Sequence, residues 1–165
     1  MEIVDIYDKK KGKAVERNTK PELGEYHLSI HIWITNSKGE LSIQRRLTNK
    51  KMFPNMWNET GRAASTGEKS EMTCAREFEE ELGVKPNMDN TELISSIKRK
   101  YDYVDVWHIE QGIDLKDIKM QEDEASEVKY VTIDELKKII KDKDFVLTIG
   151  PSLNIFLTYM DMIRE

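Results

Sequence analysis

A period of two in the hydrophobic pattern marks the first clear element of the chain. Between His27 and Thr35, Leu28, Ile30 and Ile32 alternate with polar or aromatic side chains. Successive side chains of a strand point to opposite faces, and here both faces carry bulky groups. We therefore predict a β-strand with substantial burial on both sides.

Turn residues follow this strand and predict a hairpin. Positions 36–39 read Asn-Ser-Lys-Gly, which is typical of a tight turn, and Leu41–Arg45 then provides the partner strand. Upstream, Glu2–Ile6 predicts a short strand that a polar, lysine-rich turn follows.

A helical period replaces this alternation after residue 70. The apolar positions recur on one helix face, and they are Cys74, Ala75, Phe78 and Leu82. Ser70 is a suitable N-cap for this helix. Gly83 suits the left-handed residue that ends a helix.

The second half of the chain alternates between strand and helix patterns. The predicted strands are Glu92–Ile97, Val104–Ile109 and Val128–Val131. Thr132 and Glu135 have capping-box spacing, which predicts a helix to about Ile140. A last helix begins near Pro151, and its buried stripe is Leu153, Phe156, Leu157 and Met160. Strands before, between and after helices predict an α/β fold with helices on both faces of a mixed sheet.

The helix after residue 70 also concentrates carboxylates. Glu77, Glu80 and Glu81 stand at positions i, i+3 and i+4, which share one helix face. Like charges on one face repel each other unless a cation lies among them. Mg²⁺ takes oxygen ligands and bridges carboxylates to phosphates, so a metal site is one interpretation. A solvated acidic helix face is the other.

The segment Gly67–Val84, GEKSEMTCAREFEEELGV, resembles the Nudix box. That pattern is Gly-x5-Glu-x7-Arg-Glu-U-x-Glu-Glu-x-Gly-U, where U is a bulky apolar residue. The matching residues are Glu68, Arg76, Glu77, Phe78, Glu80, Glu81, Gly83 and Val84. The first glycine of the pattern falls on Arg62, one residue after Gly61. The resemblance implies a Nudix α/β/α sandwich and hydrolysis of a diphosphate bond linked to another moiety, usually a nucleoside.

The same resemblance implies roles for the box residues. The expected ligands of Mg²⁺, with Mn²⁺ as the alternative ion, are Glu77, Glu80 and Glu81. Such an ion neutralises phosphate charge and lowers the pKa of the attacking water. Glu68 is expected to be an outer ligand or a partner of Arg76, which would hold loop and helix together. A distal carboxylate often joins such sites, and Glu124 is the candidate here.

The resemblance extends upstream of the box. The chain reads YHLSIHIWITNSKGELSIQRR and then NKKMFPNMW, which is similar to the Nudix branch that contains the isopentenyl-diphosphate isomerases and their hydrolase relatives. In that branch, basic residues after the second strand often contact diphosphate oxygens. Arg46, Lys50 and Lys51 are the corresponding candidates. Ordinary exposed turn cations are the alternative interpretation.

An isomerase relative is therefore the second functional hypothesis. The catalytic cysteine of the isomerases lies just before the box, and the corresponding position here is Gly61. Cys74 falls on the predicted buried face of the helix, where core packing is its expected role. His27 and His31 share one strand face and have metal-binding chemistry, but we favour a structural or substrate-wall role for them. A non-catalytic Nudix ligand sensor is the third hypothesis, although such domains often lose the box carboxylates that are present here.

Length, charge and composition argue against several other classes of protein. The 165 residues predict one domain, 1–165, and the net charge of −5 argues against a general nucleic-acid binder. No apolar run approaches the ~20 residues of a membrane helix, and the N-terminus lacks the order of a signal peptide. The one cysteine, Cys74, fits a reducing compartment, so we expect a cytoplasmic protein. A small-molecule diphosphate is the expected partner, and the family resemblance adds homodimerisation as an expectation.

Overall fold

The computed structural model describes residues 2–4, 10–16, 19–63, 68–146 and 150–163. Nine strands within these ranges form one sheet. They are β1 (Glu2–Val4), β2 (Lys10–Ala14), β3 (Tyr26–Thr35), β4 (Leu41–Arg46), β5 (Trp57–Asn58), β6 (Thr60–Ala63), β7 (Thr91–Lys98), β8 (Asp102–Glu110) and β9 (Ala125–Val131). The α-helices are α1 (Ser70–Leu82), α2 (Ile133–Lys141) and α3 (Gly150–Ile163). Short 3₁₀ turns occur at Met88–Asn90 and Leu115–Asp117.

The long strand β3 organises the sheet. One edge of β3 runs parallel to β8 over nine residue pairs, and β8 in turn pairs antiparallel with β7. Three antiparallel partners share the other edge, with β1 at Tyr26 and His27, β6 at Ser29–Ile32 and β4 at Thr35. Parallel and antiparallel neighbours thus meet on one strand, which confirms the predicted mixed sheet.

The sheet opens between β3 and β4. In the described part of the chain these strands pair only where Thr35 meets Leu41, and β4 then pairs with β9 along its length. Residues 57–63 fill the opening, because β5 pairs with β4 and β6 pairs with β3. Helix α1 packs against β3 and β6 beside this opening. The fold therefore brings the ends of several strands close to the predicted carboxylate helix.

Two apolar cores lie on opposite faces of β3. The core on the α1 side joins alternate residues of the strand to the helix, namely Leu28, Ile30, Ile32, Ile34, Cys74, Phe78 and Leu82. On the other face Trp33 packs with α2 and α3. Its ring stacks on Phe156 at 4.6 Å, and its Nε1 donates to Ser152 Oγ at 3.0 Å. Burial on both sides of the strand and helices on both sides of the sheet confirm the α/β/α sandwich.

The ends of the helices follow the sequence with one exception. Gly83 has a φ of 69° and its N–H donates to the carbonyl of Glu79, while Thr132 and Glu135 form the predicted capping box. The prediction that Ser70 caps α1 is wrong. Lys69 is the N-cap and forms no side-chain cap hydrogen bond. Ser70 is already helical, and its Oγ instead accepts a hydrogen bond from Trp107 Nε1 at 2.9 Å.

Short strands account for the other differences from the predictions. The lysine-rich segment predicted to be a turn is β2, whose backbone pairs with β1. Strands β5 and β6 were not predicted, because two to four residues are too few to show a period. Ile6, in the predicted first strand, lies outside the described residues. No helix in the described ranges is long and apolar enough to cross a membrane.

Candidate active site

Arg76 gathers carboxylates on the surface of α1. Its Nε and Nη2 donate to the two oxygens of Glu68 at 2.6 and 2.8 Å, a bidentate pair. Its Nη1 donates to Glu77 Oε1 at 2.7 Å and to Glu80 Oε2 at 3.0 Å. The hydrogen bonds to Glu68 are the main reason that the pKa of Arg76 is raised above its ordinary value. One guanidinium therefore offsets the repulsion that these carboxylates would otherwise exert.

Glu68 fastens the chain that precedes α1 to the helix. Besides its bond to Arg76, it accepts from Thr73 Oγ1 at 3.3 Å. Thr73 is fully buried, so this anchor lies at the junction of the helix with the protein interior. The expected pairing of Glu68 with Arg76 is present in the geometry.

A second set of hydrogen bonds ties α1 to the open part of the sheet. Gln44 Nε2, on β4, donates to Glu81 Oε2 at 3.1 Å and to Thr60 Oγ1 at 2.9 Å. Glu81 is 8% exposed and Glu77 4%, whereas the side chain of Glu80 is 46% exposed. The acidic face of α1 therefore lies at the edge of the interior, with two of its three glutamates turned inward.

The carboxylates on α1 have the right chemistry for a divalent ion. Within the described residues no group of three or more acidic, histidine or cysteine side chains is arranged to hold a metal. Instead, Glu77 and Glu80 converge on one nitrogen of Arg76. Oxygens that reach one cationic nitrogen can also reach one hard cation, because such ions are bound by carboxylate oxygens. Glu77 and Glu80 therefore have oxygens that one hard cation could share, whereas Glu81 is hydrogen-bonded to Gln44. The role of Glu77, Glu80 and Glu81 as metal ligands stays a prediction.

A partly buried polar cluster lies near the opening, on the opposite face of β3 from α1. Arg99 donates to both oxygens of Asp102 at 2.7 and 2.5 Å, and Ser29 Oγ donates to Asp102 Oδ2 at 3.0 Å. His31 and Glu59 belong to the same region, because the charge of Arg99 acts on both. We call Ser29, His31, Glu59, Arg99 and Asp102 the inner polar cluster.

Burial changes the proton affinity of two members of this cluster. It lowers the pKa of His31 to about 4, assisted by the positive charge of Arg99. It raises the pKa of Glu59 to about 7, and a backbone hydrogen bond of Glu59 and the charges of Arg46 and Arg99 oppose that rise only in part. At neutral pH the imidazole is therefore uncharged, while the carboxyl is close to the midpoint of its titration.

The predicted phosphate-binding cations lie after β4. Arg46 Nε donates to the carbonyl of Met52 at 3.1 Å, and Lys51 is exposed. Lys50 Nζ lies 3.0 Å from Glu124 Oε2, so this candidate cation pairs with the candidate distal carboxylate. The contact joins the segment after β4 to the segment before β9, and the Nudix box alone does not predict that these two segments meet. Phosphate binding by these residues stays a prediction.

Cys74 and His27 have structural contacts. Cys74 is fully buried, and burial raises the pKa of its thiol to about 12, so the reactive thiolate is suppressed. His27 Nε2 donates to the carbonyl of Thr19 at 2.6 Å. The core role predicted for Cys74 is confirmed by its packing with Phe78 and Leu82.

Several site residues could not be found from the sequence. Gln44 reaches Glu81, and Thr60 reaches Gln44, only through the folded sheet. Thr73 contacts Glu68 within the box segment itself, but no sequence pattern indicates that contact. Glu59 and Arg99 resemble ordinary surface charges in the sequence, and no local pattern distinguishes them. The side chain of Arg62, which replaces the first glycine of the box, lies outside what the structure describes.

Comparison with known proteins assigns the family. The NUDIX domain model matches residues 25–148. The uncharacterised Nudix hydrolase lmo0368 of Listeria monocytogenes is 34% identical over 136 residues, which are 82% of this chain and 80% of that protein. Isopentenyl-diphosphate delta-isomerase IDI1 of Gibberella zeae is 27% identical, over 88% of this chain and 68% of its own length.

The fold has solved counterparts. The crystal structure of DR0079 from Deinococcus radiodurans matches with a TM-score of 0.75 at 19% identity, covering 94% of this chain and 98% of that one. At this identity the likeness supports the fold alone. Together with the domain match and the Listeria relative, it leads to one conclusion, that the chain belongs to the Nudix family.

Proposed function

We propose that this protein is a metal-dependent Nudix hydrolase that cleaves a diphosphate linkage in a small organic substrate. The observation that best supports this proposal is the arrangement on α1. There Arg76 holds Glu68, Glu77 and Glu80 together beside the opening of the sheet. Family membership supports hydrolase activity. The organic group is a nucleoside or another moiety, and the box does not distinguish between them.

The chain's own residues divide the work in this proposal. Glu77, Glu80 and Glu81 hold Mg²⁺, or Mn²⁺ in its place, and the ion supplies charge neutralisation and an acidified water. Glu68 and Arg76 are positioning residues, because their bidentate pair fixes the start of α1 and the direction of Glu77 and Glu80. Gln44 fixes Glu81 in the same way from β4.

Binding of the diphosphate is assigned to cations near the box. Arg46, Lys50 and Lys51 are the proposed phosphate contacts, and Arg46 already acts electrostatically on Glu59 at the opening of the sheet. Arginine suits planar, bidentate recognition of phosphate oxygens, while lysine supplies a compact charge. Glu124, paired with Lys50, would direct that lysine.

Isomerisation has less support. It requires proton delivery to carbon and proton removal from carbon, and the position of the isomerase cysteine is Gly61. The thiol of Cys74 is buried between α1 and β3, and its pKa is raised to about 12. Neither residue supplies the required acid or base.

A cytoplasmic location and homodimerisation also stay predictions.

A substrate panel in ¹⁸O-labelled water tests the proposal. Nucleoside diphosphates and triphosphates, nucleotide sugars, dinucleotides and prenyl diphosphates are incubated with Mg²⁺ or Mn²⁺, and products are identified by mass. Hydrolysis places one ¹⁸O atom in a phosphate product, and EDTA abolishes it. Conversion of isopentenyl to dimethylallyl diphosphate without ¹⁸O would support the isomerase hypothesis. Tight binding without turnover across the panel would support a ligand sensor.

A further inference from the structure

Two adjoining cavities lie on the face of the sheet that α3 covers. The larger has a volume of about 380 Å³, within the range of small-molecule sites, and lies between β7, β8 and α3. The smaller, of about 190 Å³, lies beside the turn between β3 and β4. Both are lined by His108, Glu110 and Ile163, and we call the two together the α3 hollow.

Strand register brings two carboxylates together beside a histidine. Glu92 of β7 lies opposite His108 of β8, and the side chains of such a pair share one face of the sheet. Glu110 follows His108 by two residues and therefore points the same way. His108 also pairs with Trp33 of β3, whose side chain packs with α3. The α3 hollow is therefore on the opposite face of the sheet from the box helix.

Helix α3 supplies an aromatic ring and a helix end to the hollow. The hydroxyl of Tyr159 donates to Glu92 Oε2 at 2.7 Å, and its ring lies 5.1 Å from the ring of His108. The helix ends at Ile163 and has no basic residue in its last turn. The partial negative charge of its last carbonyls therefore adds to that of the carboxylates. Both features favour a positively charged ligand.

His108 has an unused hydrogen-bonding atom in this hollow. The residue is 5% exposed, and its Nε2 is hydrogen-bonded to Thr35 Oγ1 at 2.7 Å. Within the described ranges no hydrogen bond reaches its Nδ1. Burial lowers the pKa of His108 against the opposing charges of Glu110 and Glu92, so the ring is uncharged at neutral pH. Polar groups of buried side chains are almost always paired, so this nitrogen indicates a place for a ligand.

Cations of the protein do not neutralise the carboxylates of the hollow. In the part of the chain that the structure describes, Glu92 and Glu110 form no ion pair with a lysine or an arginine. The described residues also include no group of three or more acidic, histidine or cysteine side chains arranged for a metal ion. An organic cation differs from a metal ion because it carries its charge on a larger apolar frame. A cavity of this volume accommodates such a frame.

We propose that the α3 hollow binds a small organic amine in its ammonium form, held by Glu92, Glu110 and Nδ1 of His108. An ammonium group has three N–H donors, and the two carboxylates and the imidazole supply three acceptors when Nε2 carries the ring proton. The ring of Tyr159 adds an aromatic face that attracts a cation. The site goes beyond the proposed hydrolase function, because these carboxylates would repel an anionic diphosphate.

An NMR titration of ¹⁵N-labelled protein with butylammonium tests the site without substrate or metal. Saturable shifts are expected at the amides of His108 and Glu110, at physiological ionic strength so that non-specific attraction is screened. Butyltrimethylammonium has the same charge and chain but no N–H donor, and it should bind at least about tenfold more weakly. Glu110→Gln should weaken butylammonium binding by a similar factor. Glu122→Gln, an equal change of charge at an exposed position outside the hollow, should leave it unchanged.

A cation of the chain itself is the competing occupant, since Arg164 follows the last described residue of α3. Equal butylammonium affinity in Arg164→Ala and wild type would support the proposal. Binding that appears only in Arg164→Ala would overturn it, because the chain would then fill its own site.

Three other results would also overturn the proposal. They are the absence of saturable shifts in the wild-type protein, equal affinity for the two ammonium ions, and equal weakening by Glu110→Gln and Glu122→Gln. Thermal unfolding shows whether Glu110→Gln is folded. Should it unfold, Glu92→Gln decides by the same titration.

Discussion

Arg76 shows how a single residue can organise an acidic site. It contacts Glu68, Glu77 and Glu80 at once, and its side chain is about one-third exposed. Surface ion pairs usually contribute little to stability, but a bidentate arginine within a network also fixes geometry. At the residue scale, therefore, the main consequence of Arg76 is the direction in which the glutamates point.

Glu59 is the residue whose ionisation should be visible in stability. Its pKa is raised from 4.5 to about 7 in the folded protein, so the folded state holds a proton that the unfolded state has lost between these values. The neutral carboxyl contributes its full share to the free energy of unfolding below pH 4.5, and this contribution is lost as the pH rises to about 7. Glu59→Gln should remove this loss, on the order of 3 kcal/mol at full effect.

Urea unfolding at several pH values measures this effect. The difference in unfolding free energy between Glu59→Gln and wild type should grow in favour of the variant from pH 4.5 to pH 7.5. His31 titrates in both proteins and cancels in the difference. Glu79→Gln controls for the removal of an exposed carboxylate. A difference that does not change with pH would mean that Glu59 ionises normally.

At the scale of elements, α1 ends where another segment crosses it. Lys119 N donates to the carbonyl of Leu82 at 2.8 Å, and a Cβ at Gly83 would lie 2.7 Å from Lys119 Cβ. Gly83 also has a φ of 69°, in the left-handed region. The glycine of the box is therefore required for two reasons, backbone conformation and the close approach of residue 119.

Two alanine substitutions separate these reasons. Gly24 has a φ of 84°, but a Cβ there would meet no atom within 4 Å. Gly24→Ala should cost about 1 kcal/mol from backbone conformation alone. Gly83→Ala should cost at least about 1 kcal/mol more, because the added methyl group overpacks the contact with Lys119. Equal losses in urea unfolding would show that the segment at residue 119 moves away freely.

Element type was predictable wherever the signal is local. The box helix, the turn between β3 and β4 and the capping box at Thr132 depend on residues close together in the sequence, and the structure confirms them. The predicted hairpin pairing of β3 with β4 is limited to Thr35 and Leu41. Pairings across the opening of the sheet depend on distant residues, such as Gln44 with Glu81 or His31 with Gly61. The hydrophobic pattern along the chain contains no information about such contacts, so β5, β6 and the inner polar cluster could not be predicted.

At the scale of the whole molecule, the opened sheet lies between the box helix and the inner polar cluster. Helix α1 packs on one face of β3, and the inner polar cluster lies on the other. Residues 57–63 pass between them, with Thr60 and Glu59 facing opposite ways. The fold thereby places the acidic helix and the inner polar cluster on the two faces of one strand.

The central claim is that a metal held by the box glutamates hydrolyses the substrate, and neighbouring glutamates of α1 provide a matched test. Initial rates are measured against Mg²⁺ concentration for wild type, Glu80→Gln and Glu79→Gln, using the best substrate of the panel. Glu80→Gln should lower the rate at least about tenfold and raise the Mg²⁺ requirement, while the exposed Glu79→Gln stays within about twofold. Equal rates in all three proteins, or hydrolysis that persists in EDTA, would contradict the account.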